Sequence, residues 1–463
     1  MKYPYVIIGA GPTGLGAAWR LKELGEDNFI VIEATDRVGG LATTFTDENG
    51  FLWDVGGHVQ FSHYDYFDAV MERALGEDGW LQHQRESWVW IRDRFIPYPF
   101  QNNVRHLPED DLWKCLDGVI DIYQSPRPEP TNFQEWIDAT FGPGIAQIFM
   151  IPYNFKVWAY PPSELSCSWI GDRVSVVDLK RVISNVIFEK DDVSWGPNNH
   201  FRFPKRGGTG AIWKNVAAQI GMDKFIMQNG VRAIEGGSKK LVLTDGTEVF
   251  YDQLLSTMPL DQLVRSVNEL PENLKDLAGE LKYSSSNIVG LGLAGTPKQE
   301  LATKCWMYFP ESNCPFYRVT LFSNYSPHNV PDINRQWSLM TETSESPAKP
   351  VNQRDIIEET IQGALNADLI KSRDEIISTW YYRAEYGYPT PFSARDDVLR
   401  RLMPFLANFD IESRGRFGAW KYEISNQDHS MMQGVEWVNK KKLKIPEITF
   451  NFPETANANW GKQ

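Results

Sequence analysis

The chain has 463 residues, 42% hydrophobic and 23% charged, the balance of a globular protein too long for a single core, so two or three structural units are expected. A formal net charge of −13 and a pI of about 5.2 favour neither nucleic acid nor an anionic membrane surface. No apolar run approaches the ~20 residues that cross a bilayer, and Cys115, Cys167, Cys305 and Cys314 form no C-x-x-C pair, so the expectation is a reduced, cytoplasmic protein without structural zinc.

The first predicted elements are a buried strand, Tyr5 to Ile8, a tight turn and an amphipathic helix, in "YVIIGAGPTGLGAAWRLKELG". Gly9, Gly11 and Gly14 fit G-x-G-x-x-G. The first permits the turn, the second lets a pyrophosphate approach the backbone, and the third lets helix and strand pack. The helix start then offers N–H groups and positive dipole to phosphate. A second strand, "NFIVIE", ends in Glu33, 19 positions after Gly14, where an acid takes the ribose hydroxyls. Arg37, Gly39 and Gly40 follow in "ATDRVGGLATT". That second glycine pair resembles FAD-binding flavoproteins of the amine-oxidase and glutathione-reductase type, so FAD is the expected cofactor.

Next comes "DVGGHVQFSH", residues 54 to 63. Gly56 and Gly57 allow backbone conformations closed to other residues. A metal reading would need His58 and His63 as ligands. Their spacing of five is poor for one helix face, and no acid or cysteine cluster joins them, so no metal is expected. His63, among aromatics, reads equally well as a packed core residue.

Residues 104–192 are mostly helical by apolar spacing. Residues 226–259 alternate and turn like a β-meander that returns to the first sheet, with Val231 toward the adenine side. Segments 83–103 and 280–345 carry strand-like stretches that point to an antiparallel sheet, and the tail after about 450 reads as frayed. The expected fold is therefore α/β: a discontinuous Rossmann-like FAD-binding domain (1–82, 199–262, 385–455), an inserted helical domain (104–198), and an antiparallel sheet domain for substrate (83–103, 263–384).

Four arginines sit in glycine-, proline- or aromatic-rich stretches: Arg85, Arg173, Arg318 and Arg416. Tyr308, Tyr317, Tyr388 and Tyr422 accompany them. The pyrophosphate of FAD already has a backbone cradle, so these arginines imply a second anion, which guanidinium geometry suits. The plain alternative is that each pairs with a nearby acid, as Arg173 adjoins Asp172. Facing arginines without a ligand would repel and open their loops.

Taken together, "GAGPTGLGAA", "DVGGHV-FSHY-YF", "HQR", "PYPFQNN", "PYNFKVWA", "WGPN-FRFP-RGGTG", "NCPFYR", "FSNYSP", "GYPTP" and "SRGRFG-W-YE--NQDHS" resemble the UDP-galactopyranose mutase family, eukaryotic-type branch, along nearly the whole chain. Gln60 and Ile151 depart from its pattern. The resemblance implies an isomerase of nucleotide sugars in galactofuranose biosynthesis. It acts on reduced FAD, with NAD(P)H as the reductant, and converts pyranose to furanose through a covalent flavin N5–sugar adduct without net redox change. It implies that Arg173 and Arg318 clamp the diphosphate with Tyr308, Tyr388 and Tyr422. Tyr98, Gln101, Phe149 and Asn154 would form the uridine pocket and Trp158 would line the substrate cavity. Asn198 and Arg416 would lie near sugar and flavin, Gly57 and His58 beside the isoalloxazine, and Gln427 against the cofactor. The partner is a UDP-hexose, with a homo-oligomer left open. Two other readings share parts of the pattern: a mutase for another nucleotide sugar or a non-catalytic sensor of one, and an FAD-dependent amine oxidase or desaturase, in which Arg173 and Arg318 have no role.

Overall fold

The computed structural model describes residues 1–125, 127–193 and 199–458. Its first strand, Lys2–Ile8, lies in the middle of a seven-stranded mixed sheet. Phe29–Ile32 and Glu248–Ser256 flank it in parallel, with Ile8 opposite both Ile32 and Ser256. All four residues of Phe29–Ile32 are buried, as expected of a parallel strand covered on both faces. The meander appears as Val231–Glu235 and Lys240–Leu243, antiparallel against Glu248–Ser256. Ile411–Ser413 joins the same strand in parallel. One sheet is thus assembled from three separated stretches of chain.

The helix after the glycine turn, Pro12–Glu23, crosses a late helix, Gln427–Leu443. The approach is so close that a Cβ on Gly434 would lie 2.0 Å from the Thr13 carbonyl oxygen. Helices Leu260–Ser266 and Glu272–Ala278 pack into the core of this first sheet.

The second sheet also has seven strands. In spatial order they are Ile376–Pro389, Tyr283–Ala294, Gln336–Glu345, Arg318–Leu321, Trp306–Tyr308, Ser87–Ile91 and Arg94–Pro97. Every pairing is antiparallel except Trp306–Tyr308 against Ser87–Ile91. The strand Ile376–Pro389 runs straight through position 385. Gly290 leaves its space to the Trp53 ring, 2.6 Å from where a Cβ would stand, so a hairpin of the first unit seats directly on the second sheet.

The third unit is helical: Glu109–Gln124, Phe133–Ile145, a π-helical turn Ala146–Met150, Ile151–Trp158 and Leu179–Ile187. Asn132 and Asp178 cap two of these helices by accepting from the backbone N–H three residues on. The tail departs from the frayed expectation. Pro453–Ala458 is a short helix, held because Asn457 donates to the carbonyls of Pro453 and Glu423.

Candidate active site

The glycine turn is built for a close-lying anion. Gly9 takes φ +96°, and a Cβ on Gly14 would stand 1.9 Å from the Gly9 carbonyl oxygen. Gly11 caps Pro12–Glu23 without any side-chain hydrogen bond, so the helix start keeps N–H groups available. Gly39 donates to the Ala10 carbonyl, and Gly40 rests against Gly11, with its would-be Cβ 3.3 Å from the Gly11 Cα. Two glycine turns therefore face each other and leave a groove that side chains would fill.

Glu33, at the end of the second strand, accepts from the Ala10 amide at 2.8 Å and from the Thr35 amide at 2.9 Å. The stretch leading to Val231 runs beside it, as Asn229 donates to the Glu33 carbonyl. Arg37 pairs with Asp36 and lies 4.3 Å over the Phe45 ring. Gln427 opens the late helix and accepts from the Trp213 indole. These donors, glycines and acid fit a dinucleotide cofactor.

A box of aromatics lies where the helical unit meets the second sheet. Tyr98 meets Tyr308 at 5.2 Å, and Tyr308 meets Tyr153 at 5.3 Å. Phe149, in the π-helical turn, stacks on Tyr153 and Phe100. Trp158 contacts Tyr422 at 4.8 Å and Tyr388 at 6.0 Å. Gln101 is buried. Its amide donates to the Ser175 carbonyl, and its Oε1 lacks a hydrogen-bond partner among the described residues. Asn154 donates back one turn to Met150.

All four arginines expected from the sequence reach this box, three of them around Tyr422. Burial raises the Tyr422 phenol, while Arg173, Arg416 and Arg318 all pull it down. Arg416 is held by the carbonyls of Gly387 and Ser425 and covers the Tyr388 ring at 4.7 Å. Arg173 donates to the Glu423 carbonyl and, at 2.5 Å, to Asn457 of the tail helix. Arg318 is gripped on one edge by Glu342, Nε to Oε1 at 2.7 Å and Nη2 to Oε2 at 2.8 Å. The acid pairing allowed for from the sequence therefore exists for Arg318, through a residue 24 positions away. Arg85, the fourth, lies 5.5 Å over the Tyr98 ring. Asn198 lies outside the described residues.

The segment 56–58 approaches the same arginines. Gly56 adopts φ +100°, whereas Gly57 does not enter the left-handed region, contrary to the expectation that both glycines serve conformation. Gly57 is needed for space: a Cβ there would stand 2.6 Å from Thr320 Oγ1. Burial pushes His58 down to about 4. Glu342 opposes that shift and Arg318 and Arg416 add to it, so the imidazole is neutral near pH 7.

His63 does not join His58. It contacts Asp428 through Nδ1 at 2.6 Å, and both sit with His429 in the buried core. The ligand atoms of His63, Asp428 and His429 lie within 4.8 Å of one another. Asp428 Oδ2 already accepts from the His63 amide and Oδ1 from the His429 amide. Burial works against the Asp428 charge, but His429 and His63 hold its carboxyl far below the usual range, which makes a hydrogen-bonded core pair. Nothing around His63 in the sequence marks this trio, because Asp428 is 365 positions from it.

Residues 12–434 match the family described as flavin containing amine oxidoreductase. Protoporphyrinogen oxidase 1, chloroplastic, from Spinacia oleracea is 28% identical over 189 residues, covering 38% of this chain and 32% of that protein. Amine oxidase [flavin-containing] A from Canis lupus familiaris is 28% identical over 330 residues, 67% of this chain and 57% of that protein. The chain thus spans between a third and three fifths of these relatives' own length. A crystal structure of reduced UDP-galactopyranose mutase superposes with a TM-score of 0.96 at 48% identity, covering 99% of this chain and 98% of that one. The chain belongs to the UDP-galactopyranose mutase family, within the flavin containing amine oxidoreductases. For a UDP-galactopyranose mutase family member, the residues missed by reading the sequence are Glu342, which holds Arg318, and Glu423 and Asn457, which hold Arg173.

Proposed function

We propose that this chain is an isomerase that interconverts UDP-galactopyranose and UDP-galactofuranose on reduced FAD, with no net redox change. The observation that carries this reading is the meeting of Arg173, Arg318 and Arg416 around Tyr422, in a chain 48% identical over 99% of its length to a reduced UDP-galactopyranose mutase.

The paired glycine turns, the uncapped helix start and Glu33 would hold FAD. When bound and reduced, FAD supplies the nucleophile for the sugar's anomeric carbon, and the sugar later returns to UDP. The chain's own part is binding, orientation and exclusion of water. Arg173 and Arg318 hold the diphosphate while it is detached, so that it stays within reach for its return. Phe149, whose ring stacks on Tyr153 and Phe100, belongs to the wall of the uridine pocket, and the unpartnered Oε1 of Gln101 offers an acceptor to the uracil edge. Trp158, Tyr388 and Tyr422 wall the cavity with rings. A neutral His58 adds no positive charge beside two guanidiniums. NAD(P)H is the proposed reductant and the cytoplasm the proposed location, a setting in keeping with four cysteines that are free thiols.

An amine oxidase reading is disfavoured by charge, since three guanidiniums around the box repel an ammonium substrate. The test is turnover. Dithionite-reduced protein converts UDP-galactofuranose to UDP-galactopyranose by chromatography, and the oxidised protein does not. No conversion by reduced protein, together with flavin reduction by an amine, would overturn the proposal.

A further inference from the structure

One buried carboxylate joins two parts that the mutase reading treats separately. Arg318 and Glu342 are direct cross-strand neighbours, on Arg318–Leu321 and Gln336–Glu345. The Glu342 side chain is 3% exposed and receives four donors: Arg318 Nε and Nη2, the Tyr317 hydroxyl at 2.8 Å, and the Gly57 amide at 3.0 Å. The last donor comes from the other sheet unit, 285 positions away. A Cβ on Gly56 would stand 3.2 Å from Glu342 Oε2. Gly56, at φ +100°, and Gly57, whose Cβ would stand 2.6 Å from Thr320 Oγ1, let the segment come this close to the carboxylate.

The chemistry of that arrangement is specific. Four donors converge, and three of them, the two guanidinium N–H groups and the Gly57 amide, cannot accept, so an ionised carboxylate is the group that satisfies all of them as they stand. Glutamine has one oxygen. Its NH₂ would face either the Gly57–Arg318 Nε pair or the Tyr317–Arg318 Nη2 pair, donor against donor. The grip also takes only one edge of the guanidinium. Arg318 Nη1 makes no hydrogen bond among the described residues, and it is the edge left for an incoming phosphate.

We infer that Glu342 is a positioning residue, which fixes Arg318 for the diphosphate and the His58 segment for the cofactor with the same two oxygens. This rests on the mutase reading for the identity of the ligand. It follows that the phosphate site and the segment beside His58 are mechanically linked: whatever draws Arg318 away from Glu342 loosens the anchor of Gly57. His58, which faces the Glu342 anion against Arg318 and Arg416, reports on the same link.

The test compares Glu342→Gln with Glu345→Gln in the full-length, FAD-loaded protein. Glu345 lies on the same strand and holds Arg383 at 2.8 Å and Asn287 at 2.9 Å, so it controls for loss of a structural ion pair. Two quantities are read: amide hydrogen exchange of residues 55–60 by mass spectrometry, and UDP affinity by titration. Glu342→Gln is expected to speed exchange about tenfold and to weaken UDP about fivefold or more, while Glu345→Gln stays within about twofold on both. Glu342→Gln values within about twofold of wild type on either quantity, or equal effects from Glu345→Gln, would overturn the assignment. If Glu342→Gln loses FAD, Glu342→Asp keeps the charge but is one methylene too short to serve both strand and segment. It is read against the same limits. Wild-type protein that binds no UDP would sink the mutase reading instead, and the exchange comparison alone would then decide the role of Glu342.

Discussion

The guanidinium of Arg416 lies 4.7 Å over the ring of Tyr388, and its Nε and Nη2 both donate to the Gly387 carbonyl, one residue before that tyrosine. Arginine and ring are thereby fixed as one unit at the end of the strand Ile376–Pro389. A cation held in this way has its donors spent on the backbone and acts through charge and ring contact. Replacing Arg416 by Lys keeps the charge but loses the paired donation. The expected outcome is a loss of kcat of about tenfold or more with FAD content unchanged, since one charged hydrogen bond is worth ~1.5–3 kcal/mol. Steady-state kinetics of the reduced variant checks it.

The two arginines proposed for the diphosphate differ in what their removal leaves behind. Arg173→Ala leaves the Glu423 carbonyl its Asn457 donor and frees the Asn457 side-chain oxygen, so it is expected to weaken UDP by at least ~1.5 kcal/mol with little change in melting temperature. Arg318→Ala also strands the Glu342 carboxylate in the interior, which costs about 3–5 kcal/mol for a buried pair broken on one side. Titration of UDP and thermal unfolding of both variants separate the cases.

Base selectivity is expected to rest on Gln101. Its orphan Oε1 and its short contact to Ser175 fix it as an acceptor. Gln101→Leu is expected to narrow the preference for UDP over other nucleoside diphosphates by about tenfold or more, because a site built to pair a polar group loses discrimination when that group goes. Competition binding with UDP, CDP and ADP measures it.

The pH dependence of stability has a named source in Glu436. Burial raises its carboxyl from an ordinary 4.5 to about 7, although Thr449 donates to it twice. The folded chain keeps this proton where the unfolded chain has lost it. The stabilisation is therefore complete below the unfolded value and disappears as pH rises through about 7. Glu436→Gln keeps the hydrogen bonds, since the Thr449 hydroxyl can turn from donor to acceptor. It is expected to match wild type near pH 4.5 and to exceed it by up to about 3 kcal/mol near pH 8. Denaturant melts at the two pH values test this.

How much of this was legible beforehand depends on whether a residue's reason is local. Gly9 and Gly14 could be read because a left-handed φ and a 1.9 Å approach exclude any other residue, and the two lie only five positions apart. The meander and the strands of 83–103 and 280–345 were legible in the sequence, and the helical unit from apolar spacing, but the edge strand Ile376–Pro389 and the added strand Ile411–Ser413 were not. Glu342 was not, because its meaning comes from Gly57, and nothing in "WSLMTETSE" marks Glu342 over Glu345. Asn457 was read as part of a frayed tail for the same reason: its partners, Glu423 and Arg173, lie 34 and 284 positions away. Gly57 is expected from the sequence to serve a special backbone conformation, whereas in the structure it provides clearance for Thr320.

The most direct measurement is the mass of the flavin recovered after the reduced protein is incubated with UDP-galactopyranose and treated with sodium cyanoborohydride. A flavin heavier than reduced flavin by one hexose residue plus the two hydrogens added in trapping, absent from the oxidised control, is the expected result. Flavin of unchanged mass, from protein that demonstrably binds the UDP-sugar, would contradict covalent transfer and leave only a nucleotide-sugar receptor.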